Sequence, residues 1–153
     1  MPQQVTAEIR PGEGTHLWLL VMKTFHAISA HAKADLMRNG LGLSDFAILE
    51  VLLHKGPLPV NAIGPKVHLT PGSISTAVER LHARRLVSRV EDAEDRRVRT
   101  VRLLPKGRTL AEAVFNKHQA AIDRISGGLS RHEAAQLATL LKKLGKYAKA
   151  LSC

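Results

Sequence analysis

Apolar residues recur at helical spacing over much of the chain. The first amphipathic stretch covers residues 15–39, with Thr15 as its N-cap and Asn39-Gly40 as its end. Residues 1–14 are polar and interrupted by proline and glycine, so we expect a flexible N-terminal arm there. The apolar stripe of the first helix comprises Leu17, Leu20, Val21, Phe25, Ile28, Ala32 and Leu36.

Two further helices are predicted before residue 68. One begins after Ser44 and ends at Gly56-Pro57, with its apolar side chains one turn apart. Residues 60–67 allow a short helix, in which Pro65 must sit early or produce a kink.

The segment that follows has the features of a recognition helix. Thr70 is an N-cap residue, and Pro71 stands at the first helical position, where its missing N–H costs nothing. Ile74, Val78 and Leu81 form an apolar face, so the hydroxyl and arginine side chains face outward or flank it. Two short helices with this pattern are typical of a helix-turn-helix, whose second helix enters the major groove of DNA.

The last third of the chain predicts a hairpin and two helices. Residues 86–91 and 98–104 are rich in β-branched residues and partly alternate around a polar turn, as in a β-hairpin. A long helix follows up to Gly127-Gly128, and Ser130 with Glu133 forms a capping box for the final helix. The stripe of that helix comprises Leu137, Leu140, Leu141, Leu144, Ala148 and Leu151.

This order predicts a mainly α fold with a small β-hairpin (α+β), a winged helix-turn-helix. We expect one domain over residues 15–150, with the DNA-binding lobe at about 43–105 and dimerisation helices at about 15–39 and 107–151. The end helices carry more apolar surface than so small a lobe covers, which favours a homodimer with intertwined ends. The alternative is that they pack on each other within a monomer.

The charge of the chain points to a polyanionic partner. The 153 residues contain 23 Lys+Arg and 13 Asp+Glu, a formal net charge of +10. Residues 80–108 hold ten of the basic residues and four of the acidic ones, so a net +6 lies on the end of the recognition helix and on the hairpin. A winged helix meets double-stranded DNA on those two elements, where phosphate contacts supply much of the affinity.

Candidate contacts follow from side-chain chemistry. The hydroxyls of Ser73, Ser75 and Thr76 can donate to phosphates or base edges, although Ser73 in a plain capping role is the alternative. Arg80 can bind a guanine through two hydrogen bonds, and Arg97 is long enough to enter a minor groove.

The complete set of predicted DNA-binding residues spans the recognition helix and the hairpin. For Arg84 and its neighbour Arg85 the alternative is solvation at a helix C-terminus, where cations are favoured in any case. The predicted DNA-binding residues are Thr70, Pro71, Gly72, Ser73, Ser75, Thr76, Arg80, Arg84, Arg89, Asp95, Arg96, Arg97 and Arg99.

The stretch LTPGSISTAVERLHARRLVSRVEDAEDRRVRTVRLLPKGR strongly resembles the MarR family of bacterial transcriptional regulators. SDFAILEVLLHKGPLPVNAIG, EDRRVRTV and the late GGLS resemble its MhqR-like, quinone- and hydroquinone-responsive branch. The resemblance implies a homodimer that binds a pseudo-palindromic operator, usually as a repressor released by a small phenolic or aromatic ligand. It also implies that Asp95 anchors the wing by pairing with an arginine while Arg97 probes the minor groove.

The predicted effector site is a separate hypothesis. In the family, ligands lodge between the dimer helices and the DNA-binding lobe, where this chain offers Trp18, Met22, His26 and Phe46. An apolar pocket with a polar handle suits a phenol. The alternative is that these side chains are simply core. Cys153 is the single cysteine, so peroxide sensing through a first-helix thiol is excluded.

Other classes find little support. The chain lacks the nucleotide-binding and nucleophile-elbow motifs, and HEAAQ at 132–136 lacks the second histidine of a zinc protease motif. We therefore expect no enzyme activity, no cofactor and no metal. With no signal peptide or membrane span in the sequence, a cytoplasmic location is expected. The competing function is a sequence-tolerant architectural DNA-binding protein without an effector.

Overall fold

The computed structural model describes residues 9–91, 93–95 and 97–151. This part of the chain forms six helices and a small antiparallel sheet, which confirms the predicted mainly α fold. The elements are α1 (Glu13–Arg38), α2 (Leu43–Lys55), β1 (Leu58–Pro59), α3 (Val60–Val67), α4 (Pro71–Ala83), β2 (Val87–Glu91), β3 (Arg99–Leu103), α5 (Pro105–Ser126) and α6 (Arg131–Leu151).

The first helix begins two residues before the predicted N-cap. Gly12 is the N-cap, in the left-handed region with φ of 89°, and Glu13 opens the helix. The Glu13 carboxylate accepts hydrogen bonds from the backbone N–H and the Nε of Arg10, at 3.0 and 2.8 Å. Thr15 therefore lies inside α1, and its predicted capping role was wrong. Residues 1–8 of the predicted arm lie outside the described residues.

Two local features differ from the expectation for residues 58–67. Pro65 is the sixth residue of α3 rather than an early one. The helix ends two residues later at Val67, and the C-cap His68 has a φ of 55°. Leu58 and Pro59 add a third strand that the sequence analysis missed, paired antiparallel with β3. Two residues, one of them a proline, carry no alternation from which a strand could be predicted.

The predicted hairpin is confirmed, and the structure gives its register. Strand β2 pairs antiparallel with β3 from Val87 opposite Leu103 to Glu91 opposite Arg99. The sheet order is β1-β3-β2, so β3 is central and the wing projects from its start. The core beneath the sheet joins the end of α1, α2, α3, α4 and the first half of α5. Its fully buried side chains include Leu36, Ile48, Leu49, Leu52, Ile63, Ile74, Leu81, Leu86, Val87 and Val101.

Glycine is required where α5 crosses the connection between α4 and β2. A Cβ added to Gly107 would lie 1.9 Å from the carbonyl oxygen of Leu86. The same oxygen accepts the backbone N–H of Leu104 at 3.0 Å. The close approach therefore fixes the start of α5 against the loop that leads from the recognition helix into the wing.

The two ends of the chain leave apolar side chains uncovered. Of the described residues of α6, none is buried, and the first half of α1 is exposed as well. No helix in the described part of the chain is long and apolar enough to cross a membrane. The exposed apolar side chains are Leu17, Trp18, Leu20, Phe25, Leu137, Leu140, Leu141, Leu144, Tyr147 and Leu151, among others.

Candidate nucleic-acid interface

The N-terminus of the recognition helix α4 is held by hydroxyl groups. The Thr70 Oγ1 accepts the backbone N–H of Ser73 at 3.2 Å and donates to the Ser73 Oγ at 2.9 Å, which confirms Thr70 as N-cap and Pro71 as the first helical residue. The Thr76 hydroxyl donates to the Gly72 carbonyl at 3.0 Å. Ser73 thus keeps its own hydroxyl hydrogen for another acceptor, whereas the hydroxyl hydrogen of Thr76 is already used.

Four apolar side chains orient α4 in the lobe. Ile74, Ala77, Val78 and Leu81 are buried, each at 2 % exposure or less. The opposite face is exposed and holds Gly72, Thr76 and Glu79, flanked by Ser73 with Arg80 on one side and by Ser75 with His82 on the other. At the N-terminal end of α4 this face carries small or polar residues, and that is the end at which a recognition helix approaches base edges.

Arg80 is paired with a buried acid. Its Nη2 lies 2.5 Å from the Asp45 Oδ1, and its Nε lies 3.2 Å from both carboxylate oxygens. The Asp45 side chain is 6 % exposed and that of Arg80 is 51 % exposed. The hydrogen bond and charge of Asp45 raise the pKa of Arg80 above its ordinary value. Arg80, predicted as a guanine-binding residue, is therefore tied to α2 along one edge of its guanidinium group.

Three other predicted DNA-binding arginines also have partners within the chain. Arg89 donates to Glu79 of the recognition helix, with Nη1 2.7 Å from Oε2, and its side chain is only 24 % exposed. Arg99 lies 3.7 Å from the Glu91 carboxylate across the hairpin. Arg84 donates to the Gly40 carbonyl at 3.1 Å. The position of Arg89 is that of a clamp between α4 and the wing, which differs from the exposed phosphate-binding position that we expected.

The tip of the wing is shaped by Asp95. Its Oδ1 accepts the backbone N–H of Arg97 at 3.0 Å, and its carbonyl accepts the N–H of Val98 at 2.9 Å. These bonds form a turn that presents the exposed Arg97 side chain. Arg96, also predicted to contact DNA, lies outside the described residues. The implied pairing of Asp95 with an arginine stays a prediction.

A cavity of about 600 Å³ opens between α3, the start of α4 and the wing. Apolar side chains form most of its wall, and Ser75, Arg97 and Arg99 supply polar groups at its edge. Four of the predicted DNA-binding residues, Pro71 among them, therefore share one cavity. Its full lining is Val60, Asn61, Gly64, Pro65, His68, Leu69, Pro71, Ile74, Ser75, Arg97, Val98 and Arg99.

A smaller and more polar cavity, of about 230 Å³, lies between α1 and α5. Next to it, the Asp35 Oδ2 and the His118 Nδ1 are buried 4.0 Å apart, and neither atom has a hydrogen-bond partner among the described residues. The other Asp35 oxygen accepts from Arg38 at 3.2 Å. The lining residues are His31, Asp35, Arg38, Ala121, Arg124 and Ile125.

The structure does not bring the predicted effector residues into either cavity. Phe46 is 4 % exposed and packs on the His118 ring at 4.9 Å, as the core alternative expects. Trp18 and His26 are exposed on α1, and Met22 is partly buried. No group of three or more potential metal-ligating side chains occurs within the described ranges. Cys153 lies outside them.

Asp45 is the site residue that sequence reasoning missed. It lies four and seven residues before Leu49 and Leu52, on the apolar stripe of α2, where a carboxylate requires a partner. That misplaced charge was the available signal. Its partner, 35 residues away, could not be identified from helical spacing.

Known proteins match this chain along most of its length. A model of the MarR family matches residues 39–98. The HTH-type transcriptional regulator MhqR of Bacillus subtilis is 34 % identical over 133 residues, which cover 87 % of this chain and 92 % of MhqR. Other curated relatives are named as transcriptional regulators too, and none of these names is that of an enzyme.

Solved structures share the fold. A MarR family protein from Bacillus stearothermophilus is 25 % identical, with a TM-score of 0.75 over 92 % of this chain and 99 % of that one. The organohalide-sensing regulator RdhR, solved with 2,4-dichlorophenol bound, is 19 % identical, with a TM-score of 0.77 over 94 % of this chain and 88 % of its own. At 19 % identity that likeness concerns the fold alone.

Proposed function

Because the chain belongs to the MarR family of transcriptional regulators, we propose that it binds a pseudo-palindromic operator as a homodimer, represses transcription there, and is released by a small phenolic ligand. The chain is thus a regulator and not an enzyme. The observation that carries the DNA-binding proposal is the joint position of α4 and the wing. Ser75 of α4 and Arg97 of the wing line the same cavity, and Ser73 is exposed near the start of α4.

The contacts divide by chemistry. Ser75 and Ser73, near the N-terminus of α4, are suited to base edges or phosphates in the major groove. Arg97, on the turn held by Asp95, is suited to the flanking minor groove, whose negative potential attracts a guanidinium group. The net charge of +10 supports association with the phosphate backbone in the cytoplasm, where we expect the protein to act.

The homodimer is supported by the uncovered apolar stripes of α1 and α6. A 21-residue helix with no buried residue among those described gains little stabilisation from burial within one chain. Leu140 and Leu151 are 62 % and 68 % exposed, and Trp18 is 61 % exposed. A second copy provides complementary stripes through a two-fold axis. Binding of such a dimer to two half-sites requires the recognition helices to lie about 34–36 Å apart, one turn of DNA.

The larger cavity supports the effector proposal. A volume of about 600 Å³ with largely apolar walls and a few polar groups has room for a monocyclic phenol. Because Ser75 and Arg97 line it, a ligand there competes directly with DNA. The 2,4-dichlorophenol bound to RdhR is a reasonable first probe. We expect it to lower operator affinity. Val60→Phe narrows the cavity from α3, away from the exposed face of α4, so this variant should respond less to the phenol.

Selection of bound duplexes from a random DNA pool, at two salt concentrations, tests the proposed function. Enrichment of one inverted repeat that persists at the higher salt supports a sequence-specific dimer. Binding that is unselective and abolished by salt favours the architectural alternative instead.

A further inference from the structure

Arg80 and Asp45 form a pair that has two separate edges. The guanidinium Nε and Nη2 face the Asp45 carboxylate, and the Nη1 donates to none of the residues that the structure describes. A guanidinium group carries five N–H donors in a planar fork, so the Nη1 side and the second Nη2 hydrogen remain for another planar acceptor. The 51 % exposure of the side chain leaves this edge open to solvent.

The carboxylate holds that edge in a fixed direction. Asp45 lies in the first turn of α2 and is buried, and its two carboxylate oxygens contact both the Nε and the Nη2 of Arg80, which restricts rotation of the pair. A surface arginine without such a partner loses side-chain entropy when it binds. Arg80 has already lost most of it in the free protein, so the cost of ordering this group on DNA is small.

The position on α4 agrees with a role at the DNA. Arg80 follows Ser73 by seven residues, so these two side chains lie on one flank of the recognition helix, beside Thr76 on its exposed face. Ser73 and Thr76 are both exposed. A row of base edges that Ser73 contacts near the start of the helix would therefore extend to Arg80, two turns later.

From this geometry we infer that Asp45 is a positioning residue that orients Arg80, and that the free edge of Arg80 binds the O6 and N7 of a guanine in each half-site. The inference rests on the proposed sequence-specific DNA binding. A guanine fits better than a phosphate because Asp45 neutralises Arg80. The pair as a whole has no net charge with which to displace counterions, whereas directional hydrogen bonding is retained.

The test compares variants on the duplex pool and on the selected operator over a range of salt. Arg80→Lys keeps a cation beside Asp45 and removes the two-pronged donor, so we expect it to lose preference at one guanine per half-site by roughly 5- to 150-fold, with the salt slope unchanged. Asp45→Asn is expected to reduce the base preference at the same position of the half-site and at no other position. The double variant should lose no more base preference than the more impaired of the two single variants, because both changes remove the same contact.

Arg38→Ala is the matched control. Arg38 also pairs with a buried aspartate, Asp35, but on α1 and away from the recognition helix. This variant should leave every base preference unchanged. Thermal unfolding of each variant identifies losses that come from folding, and Arg80→Lys keeps the inference testable if Asp45→Asn fails to fold.

Three results would overturn the inference. Uniform weakening on all sequences with a shallower salt slope makes Arg80 a phosphate contact. Unchanged base preferences with a lower unfolding temperature make the pair a structural strut between α2 and α4. Relaxation by Arg80→Lys at a base pair that Asp45→Asn does not affect removes the positioning role. A wild-type protein that selects no sequence at all refutes the proposed function instead.

Discussion

Replacement of Gly107 by alanine tests how tightly the wing is fixed to the recognition helix. The added Cβ would lie 1.9 Å from the Leu86 carbonyl oxygen, whereas real Cβ atoms do not approach closer than about 3.0 Å, so α5 and the loop must separate by about 1.1 Å. That shift lengthens the hydrogen bond from the Leu104 N–H to the same oxygen, now 3.0 Å. Overpacking of this kind costs about 1–3 kcal/mol.

The magnitude translates into a measurable change. At this chain length, 1 kcal/mol corresponds to roughly 2–4 °C in the unfolding temperature, so we expect Gly107→Ala to lower it by about 2–12 °C. Operator affinity should fall with it, because Leu86 leads directly into strand β2 of the wing. The assay is thermal unfolding by circular dichroism at a fixed protomer concentration, since a dimer's unfolding temperature depends on concentration.

Gly14→Ala is the matched control. Gly14 also lies in the first turn of a helix, and a Cβ added there meets nothing within 4 Å. Alanine is the better helix former by up to about 1 kcal/mol, so this variant should be as stable as wild type or slightly more stable. Equal unfolding temperatures for the two variants would refute the argument from the Leu86 contact.

Further predictions concern the DNA face, the dimer and pH. Arg97→Ala should weaken operator binding and lower the salt slope by about 1, and an unchanged slope removes Arg97 from the interface. Ser75→Ala should alter base preference if its hydroxyl reads a base, whereas uniform weakening across sequences indicates a phosphate contact. Leu144→Asp, on the exposed stripe of α6, should give monomers by sedimentation and abolish operator binding; a stable dimer contradicts the assigned interface. The hydrogen bonds from Ser130 lower the pKa of Glu133, so this carboxylate stabilises the start of α6 above the ordinary glutamate pKa and loses that effect as the pH falls through its lowered pKa. Glu133→Gln should therefore reduce the acid sensitivity of α6 helicity, measured by circular dichroism.

Local signals predicted most of the helices and their caps. The Thr70 cap, the Ser130–Glu133 capping box and the hairpin each depend on residues a few positions apart, and the structure has all three. The start of α1 was missed because Gly12 and Glu13 cap the helix without a side-chain oxygen at the N-cap.

Pairing between side chains far apart in the sequence could not be predicted from helical or strand spacing. Arg80 and Arg89 look alike as exposed cations on a basic segment, yet their partners, Asp45 and Glu79, lie 35 and 10 residues away. Only the fold brings these acids within hydrogen-bond distance. The same limit explains the predicted effector set: Phe46 satisfies an apolar spacing equally well in a pocket or in the core, and the structure places it in the core.

The central claim is that two copies of this chain present their recognition helices one DNA turn apart. The most direct measurement is the affinity for the selected operator when base pairs are inserted between its half-sites. Five inserted base pairs rotate one half-site to the opposite side of the duplex, so we expect them to reduce affinity to the level of a single half-site. Ten inserted base pairs should restore it at most partly. Affinity that is indifferent to the insertion would contradict a two-fold dimer and leave each lobe acting alone.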